Sequence, residues 1–247
     1  LKEVYLDIHA GEVHALAGEN GAGKSTLMKV LQGVHPITSG EIEVNGEPVK
    51  IRNPADAERV GIGMVFQEFS LVPSMTVAQN IFLNRELRSK LGLIDDRAAE
   101  REAARIFADL GVSIDPAARV ETLGTAYWQL VEIAKAVAKN ATVLVMDEPT
   151  ASLASHEVER LFELIERLTA RGIAIVYISH RMDEIRRVAQ RITVLRDGQV
   201  SGTLKTAETT EDEVTRLMIG RSLECRPAAA PGAIGEGALE VKGLSCG

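Results

Sequence analysis

Apolar residues along the 247-residue chain fall into two periods, and the switches between the periods mark the elements. Residues 4–8 alternate and predict a strand, followed by Gly11-Glu12 and an apolar run over 13–17 that enters a glycine-rich segment at Gly18. After Lys24 the spacing becomes helical, with Leu27, Val30 and Leu31 on one face. Residues 41–44 and 47–51 flank Asn45-Gly46, a pair that readily takes the positive φ angles of a tight turn, so a hairpin is predicted. A short helix over 55–60 and a buried strand over 62–66 follow.

From about residue 76 to 139 the texture is helical, with clear runs at 97–110 and 127–138. In the second, Leu130, Ile133, Ala134 and Val137 share a face. This predicts a helical lobe inserted into a β-rich domain. Strand and helix then alternate: strand 143–146, helix 157–170, strand 173–178, helix 181–189. A second hairpin (192–195 and 199–204) turns at Asp197-Gly198, and a helix over 210–219 closes the domain. Strands apolar on both faces and alternating with helices predict an α/β fold with a mostly parallel sheet.

The composition, 45% hydrophobic and 26% charged, is that of an ordinary globular chain long enough for one sizeable core. A formal net charge of −7 argues against nucleic acid as partner, since that normally requires a basic face. Cys225 and Cys246 have no metal-ligand spacing and read as reduced thiols. No run approaches the roughly 18 apolar residues of a membrane-spanning helix. With no basic-then-apolar start, a cytosolic location is expected. Residues 1–223 read as one domain, 224–237 as an Ala/Pro/Gly-rich linker, and 238–247 as the start of a second domain. The chain is therefore expected to be part of a longer protein.

The chemistry is concentrated at strand ends. Gly18, Glu19, Asn20, Gly21, Ala22, Gly23, Lys24 and Ser25 fit G-x-x-x-x-G-K-[ST], between an apolar strand and a helix as a P-loop requires. Such a loop converges backbone N–H groups on phosphate oxygens, and the helix N-terminus favours the negative charge. Lys24 would reach the β- and γ-phosphates, and the Ser25 hydroxyl would bind Mg²⁺. The strand ending in Asp147-Glu148 supplies a metal-holding carboxylate at Asp147 and a general base at Glu148. His180 ends the next strand and has the chemistry to bond a γ-phosphate, although a lone strand-end His is more often a solvated residue. Gln67 follows the strand at 62–66; an amide there could ligate Mg²⁺ but by itself carries little information. His9, His14, His35 and His156 have no such placement and read as structural or surface residues.

In order and spacing, residues 18–26 (through Thr26), Gln67, Asp147-Glu148-Pro149-Thr150 and His180 resemble an ABC ATPase: its Walker A, Q-loop, Walker B with catalytic glutamate, and switch histidine. The resemblance runs from about residue 1 to 223. The strings GEVHALAGENGAGKSTLMKVLQGV, NIFLNRE, QLVEIAKAV, IVYISHRMDEI and ITVLRDG are similar to the sugar-importing branch, whose ATPase carries two such domains in one polypeptide. The family implies a P-loop NTPase core with an antiparallel β subdomain and a helical subdomain. Its nucleotide-binding residues would be Gly18, Asn20, Gly21, Ala22, Gly23, Lys24, Ser25, Thr26 and Gln67, with ATP and Mg²⁺ sandwiched between two domains. It also implies a second ATPase domain, a transmembrane sugar permease met near the Q-loop, indirectly a periplasmic-type sugar-binding protein, and a peripheral place on the cytoplasmic face of the membrane.

Departures from the family pattern carry information too. The signature loop, usually a variant of LSGGQ and acting on the other domain's ATP, here reads Leu123, Gly124, Thr125, Ala126, Tyr127. Gly124 replaces a serine hydroxyl and Ala126 a glycine; a lost charge-assisted hydrogen bond to phosphate is worth about 1.5–3 kcal/mol. Two unequal ATP sites are therefore expected. Ala154 stands where many family members carry Asp, and the adenine-stacking aromatic is expected upstream of Leu1. The alternative readings are a soluble ABC protein acting on ribosomes or DNA, or a nucleotide-binding ABC module with one impaired site. The short Ala/Pro-rich linker and the lack of a heptad run weigh against the first.

Overall fold

The computed structural model describes residues 1–220. The expected linker at 224–237, the expected start of a second domain at 238–247, Cys225 and Cys246 lie outside the described residues. In chain order the elements are β1 (Val13–Ala17), α1 (Lys24–Leu31), β2 (Ile42–Val44), β3 (Glu47–Val49), α2 (Pro54–Arg59) and β4 (Ile62–Val65). Helices α3 (Val77–Ile81), α4 (Asp96–Leu110) and α5 (Thr125–Ala138) follow. The alternation then resumes with β5 (Val143–Asp147), α6 (Ser155–Ala170), β6 (Ala174–Ile178), α7 (Met182–Val188), β7 (Arg191–Arg196), β8 (Gln199–Lys205) and α8 (Glu211–Ile219).

The main sheet has the order β4-β5-β6-β1-β7-β8, and every pair in it is parallel except β7–β8. Both hairpins turn where Asn-Gly and Asp-Gly predicted: Asn45 and Gly46 have φ of 55° and 79°, Asp197 and Gly198 of 52° and 77°. β3 stops at Val49, two residues short of the predicted end, because Ile51 leaves the ladder to join the core.

One expectation fails. Residues 4–8 form no strand, because among the described residues β2 and β3 pair only with each other and offer this segment no ladder. The alternation had a different cause: Val4, Leu6 and Ile8 are partly buried against the core on the α1 side.

The two-residue period of the strands divides the core into two layers. Leu16, Val145, Val176, Ile178 and Leu195 face Leu27 and Met28 of α1 and Ala57 of α2. Their strand neighbours Ala15, Ala17, Leu144, Met146, Ile175, Tyr177, Ile192 and Val194 face the other way, toward a layer built from α4 to α8. Central strands β1 and β6 are buried along their whole length, as sheets covered on both faces require.

Helix α4 buries Ala99, Ala103, Ile106, Phe107 and Leu110, and the carbonyl of Leu110 accepts a bond from Arg167 Nη1 of α6 at 3.0 Å. This joins the helical segment to the sheet's covering layer. Phe107 is fully enclosed, so Phe107→Ala is expected to cost about 3–5 kcal/mol in chemical denaturation, by lost transfer energy and a residual cavity.

Candidate functional site

Parallel strands present their C-terminal ends on one edge, and the order β4-β5-β6-β1 brings four of the sequence-predicted segments to that edge. Gln67 follows β4, Asp147-Glu148 end β5, His180 follows β6, and the glycine loop leaves β1. Segments as far apart in sequence as Gly18 and His180 are thus collected by topology rather than by proximity along the chain.

The loop's path depends on its glycines. Gly18 has φ 154°, and a Cβ there would sit 2.5 Å from the carbonyl oxygen of Leu195 in β7. Gly23 caps α1 with φ 108°, again a conformation side chains disfavour. No side chain caps this helix, so the N–H groups of its first turn remain available to a ligand. Ser25, Thr26, Asn20 and Gly21 are exposed, Gly23 and Lys24 half-buried, and Gly18 and Ala22 buried. Lys24 Nζ spans the loop, donating to the Gly18 carbonyl at 2.6 Å and the Glu19 carbonyl at 3.1 Å.

Electrostatics tie the loop to β5. Burial pushes the Lys24 ammonium below its ordinary pKa, while the charges of Glu148 and Asp147 oppose that shift. Burial likewise raises the Asp147 carboxyl, Glu148 adds to the rise and Lys24 opposes it. Glu148 stands at φ 45°, unusual for a residue with a Cβ, and its N–H donates to the Ile178 carbonyl at 2.9 Å. His180 Nδ1 lies 3.0 Å from Glu148 Oε1, so the predicted base and the strand-end histidine are in direct contact. His180 is otherwise solvent-facing, 70% exposed at its side chain.

Not every candidate is brought in. Gln67 is exposed, and among the described residues it makes no side-chain bond to the loop, Asp147 or His180. Leu123, Gly124, Thr125, Ala126 and Tyr127 lie in the helical segment, where Gly124 caps α5 without a side-chain bond. The loop there is braced by Trp128, whose Nε1 donates to the carbonyls of Val120 (2.8 Å) and Leu123 (3.1 Å) while its ring meets Phe69 edge-on. His14 is enclosed within β1, bonded to Thr193 at 2.8 Å.

Sequence reasoning missed Glu184. This carboxylate in the first turn of α7 is buried and bonded to Thr150, Tyr177 and Ser179. Acids are common in the first turn of a helix, where they favour its dipole, and nothing in the spacing marks Glu184 as inward-facing.

The family model described as ABC transporter matches residues 1–151. The chain is 50% identical over 244 residues to a ribose import ATP-binding protein of Rubrobacter xylanophilus, covering 99% of this chain and 49% of that protein. It is 47% identical over 249 residues to a putative ribose/galactose/methyl galactoside import ATP-binding protein of Burkholderia cenocepacia, again 49% of that protein. The chain thus spans about half the length of the curated relatives it matches. Among solved structures it resembles an ATP-binding cassette of an ABC transporter in its ADP conformation, with TM-score 0.71 and 26% identity over 87% of this chain and 86% of that one. A second cassette, solved as a dimer bound to ADP and Pi in a post-hydrolysis state, gives TM-score 0.68 and 26% identity over 83% and 90%. By the family model, which covers more than half of its length, the chain belongs to the ABC transporter family.

Proposed function

We propose that this chain is an ATP-binding and ATP-hydrolysing domain that powers import of a monosaccharide through a membrane permease. The observation that carries the reading is the edge where an uncapped helix N-terminus, Lys24, Asp147 and the Glu148–His180 pair converge. The names of the relatives support sugar import over a role on ribosomes or DNA.

In this reading the amides of Gly18, Asn20, Gly21, Ala22, Gly23, Lys24, Ser25 and Thr26 and the Lys24 ammonium hold the phosphates. Glu148 takes the proton of the attacking water, and His180 holds the Glu148 carboxylate and bonds the γ-phosphate. The hydroxyl of Ser25 and the carboxylate of Asp147 would offer oxygen ligands suited to Mg²⁺, and the amide oxygen of Gln67 would join them once its exposed segment closes on the site. The half-buried Asp147 carboxyl, pushed up by desolvation, is the kind of group a cation would relieve. When bound, Mg²⁺ would neutralise charge on the β- and γ-oxygens. The second ATPase half, the permease at the cytoplasmic face and an external sugar-binding protein would complete the machine. Phosphate release by the full-length protein in ATP and Mg²⁺ tests the reading, and absence of turnover with permease present would reject it. The isolated chain should be a weak ATPase, because the site needs a second half to cap it. Fast turnover by a monomer would reject the sandwich.

The signature loop supports unequal sites. Gly124 has φ −70° and ψ 159°, ordinary for a helix cap, and a Cβ there would meet nothing within 4 Å. Gly124→Ser is therefore expected to fit, to cap α5 with a gain of a few tenths of a kcal/mol, and to raise total ATP turnover by restoring a hydroxyl toward the opposite site. Equal turnover in the two proteins, at saturating ATP, would mean the glycine is not what limits that site.

A further inference from the structure

Glu184 is 2% exposed, yet it is a carboxylate, and taking an unneutralised carboxylate out of water is costly unless its oxygens are fully bonded. Here they are. Thr150 Oγ1 donates across both oxygens at 2.8 Å, Tyr177 OH reaches Oε2 at 2.9 Å, and Ser179 Oγ reaches Oε2 at 3.0 Å. Arg181 Nη1 meets Oε1 at 2.7 Å, and the Arg181 N–H donates to Ser179 Oγ at 3.1 Å. Thr150, Ser179 and Tyr177 are buried as well.

The segments tied together here matter more than the number of bonds. Thr150 lies two residues beyond Glu148, while Ser179 and Arg181 flank His180. The β5–β6 ladder ends at the pair Asp147–Ile178, and its last cross-link is the Glu148 N–H to the Ile178 carbonyl. Past that point, among the described residues, no backbone bond joins the Pro149-Thr150 turn to the Ser179–Arg181 turn. Glu184 takes over where the ladder stops. An apolar residue of similar size would fill the space, but it would give neither turn a direction.

We infer that Glu184 is a positioning residue: its carboxylate anchors the turn after Glu148 and the turn around His180 to α7, and so sets the contact between that base and that histidine. The inference rests on the reading of Glu148 and His180 given above. Glu184 itself touches no reacting atom; it acts through Thr150, Ser179 and Arg181.

The test uses the full-length protein with Glu184→Gln, which keeps shape but turns two hydrogen-bond donors toward a set of donors. Turnover is expected to fall about 10- to 100-fold, with KM for ATP and the affinity for a fluorescent ATP analogue changed less than about threefold. Phe107→Ala, remote from the site, serves as the control for lost stability: at a temperature where both proteins are folded it should keep its turnover. A Glu184→Gln protein with unchanged turnover, or with a loss no greater than that of Phe107→Ala, would overturn the inference. Should Glu184→Gln fail to fold, Thr150→Val and Tyr177→Phe remove one donor each, and unchanged turnover in both would overturn it equally. Amide exchange gives a readout independent of hydrolysis: Glu184→Gln should accelerate exchange at Glu148, Thr150, Ala151 and residues 179–181, and unchanged exchange there would reject the anchor. A wild-type protein without ATP turnover would instead reject the reading of the site, with the exchange result still deciding the anchor.

Discussion

Glu148→Gln is expected to bind ATP with nearly unchanged affinity and to hydrolyse it about 10²- to 10⁴-fold more slowly, the range over which a positioned general base contributes. The substitution changes little else. Glutamine has the same length and can keep an oxygen against His180 Nδ1, now 3.0 Å away. Its backbone can hold the same φ of 45°, fixed by the bond from the Glu148 N–H to Ile178. Stability at neutral pH should move little, because two consequences oppose each other. Asp147, raised by burial and by Glu148, is relieved when that charge goes. Lys24, lowered by burial and held up by Glu148 and Asp147, loses part of its support. For Asp147 the sign follows from linkage: a carboxyl raised on folding favours the folded state at low pH and loses that contribution as pH rises through its folded pKa. Removing Glu148 therefore favours stability at neutral pH through Asp147 and disfavours it through Lys24. Phosphate release, nucleotide binding and thermal melting together check the prediction. Undiminished turnover would remove Glu148 from the role of base, whereas loss of about half would confine that role to one of two independent sites.

The parts of the fold set by local chemistry were legible. Apolar runs gave β1, β4, β5 and β6, with a glycine just before each of them except β5. Asn45-Gly46 and Asp197-Gly198 gave both turns, and the glycine pattern around Lys24 placed the loop between strand and helix. The alternation over 4–8 misled because a two-residue period records burial on one side of an extended segment, and a strand also needs a partner edge. The contact between Glu148 and His180 was only half legible: each residue stood out at a strand end, but their distance depends on β5 and β6 being neighbours. Glu184 was not legible at all. Its four donors, Thr150, Tyr177, Ser179 and Arg181, come from two separate segments of the chain, and the acids of a helix's first turn look alike until one of them turns inward.

Lys24→Ala is expected to weaken ATP binding and turnover of the full-length protein by at least about 10- to 100-fold, since charge-assisted bonds to phosphate are worth about 1.5–3 kcal/mol each. The free protein should not be destabilised to match. Its ammonium is half-buried and its pKa is lowered chiefly by desolvation, so folding pulls against the charged form at neutral pH. Removing it relieves that cost but leaves the carbonyls of Gly18 and Glu19 without their donor and Asp147 without a compensating cation. The prediction separates the two ATP sites. If the site on this chain's P-loop carries hydrolysis while the site capped by Gly124 and Ala126 turns over poorly, this one substitution removes nearly all turnover. Loss of about half would mean two equivalent, independent sites. Undiminished turnover would place hydrolysis at the other site and leave this loop a nucleotide clamp, an outcome that would also require Glu148→Gln to be silent. Two substitutions, on different elements of one edge, must therefore fail or succeed together.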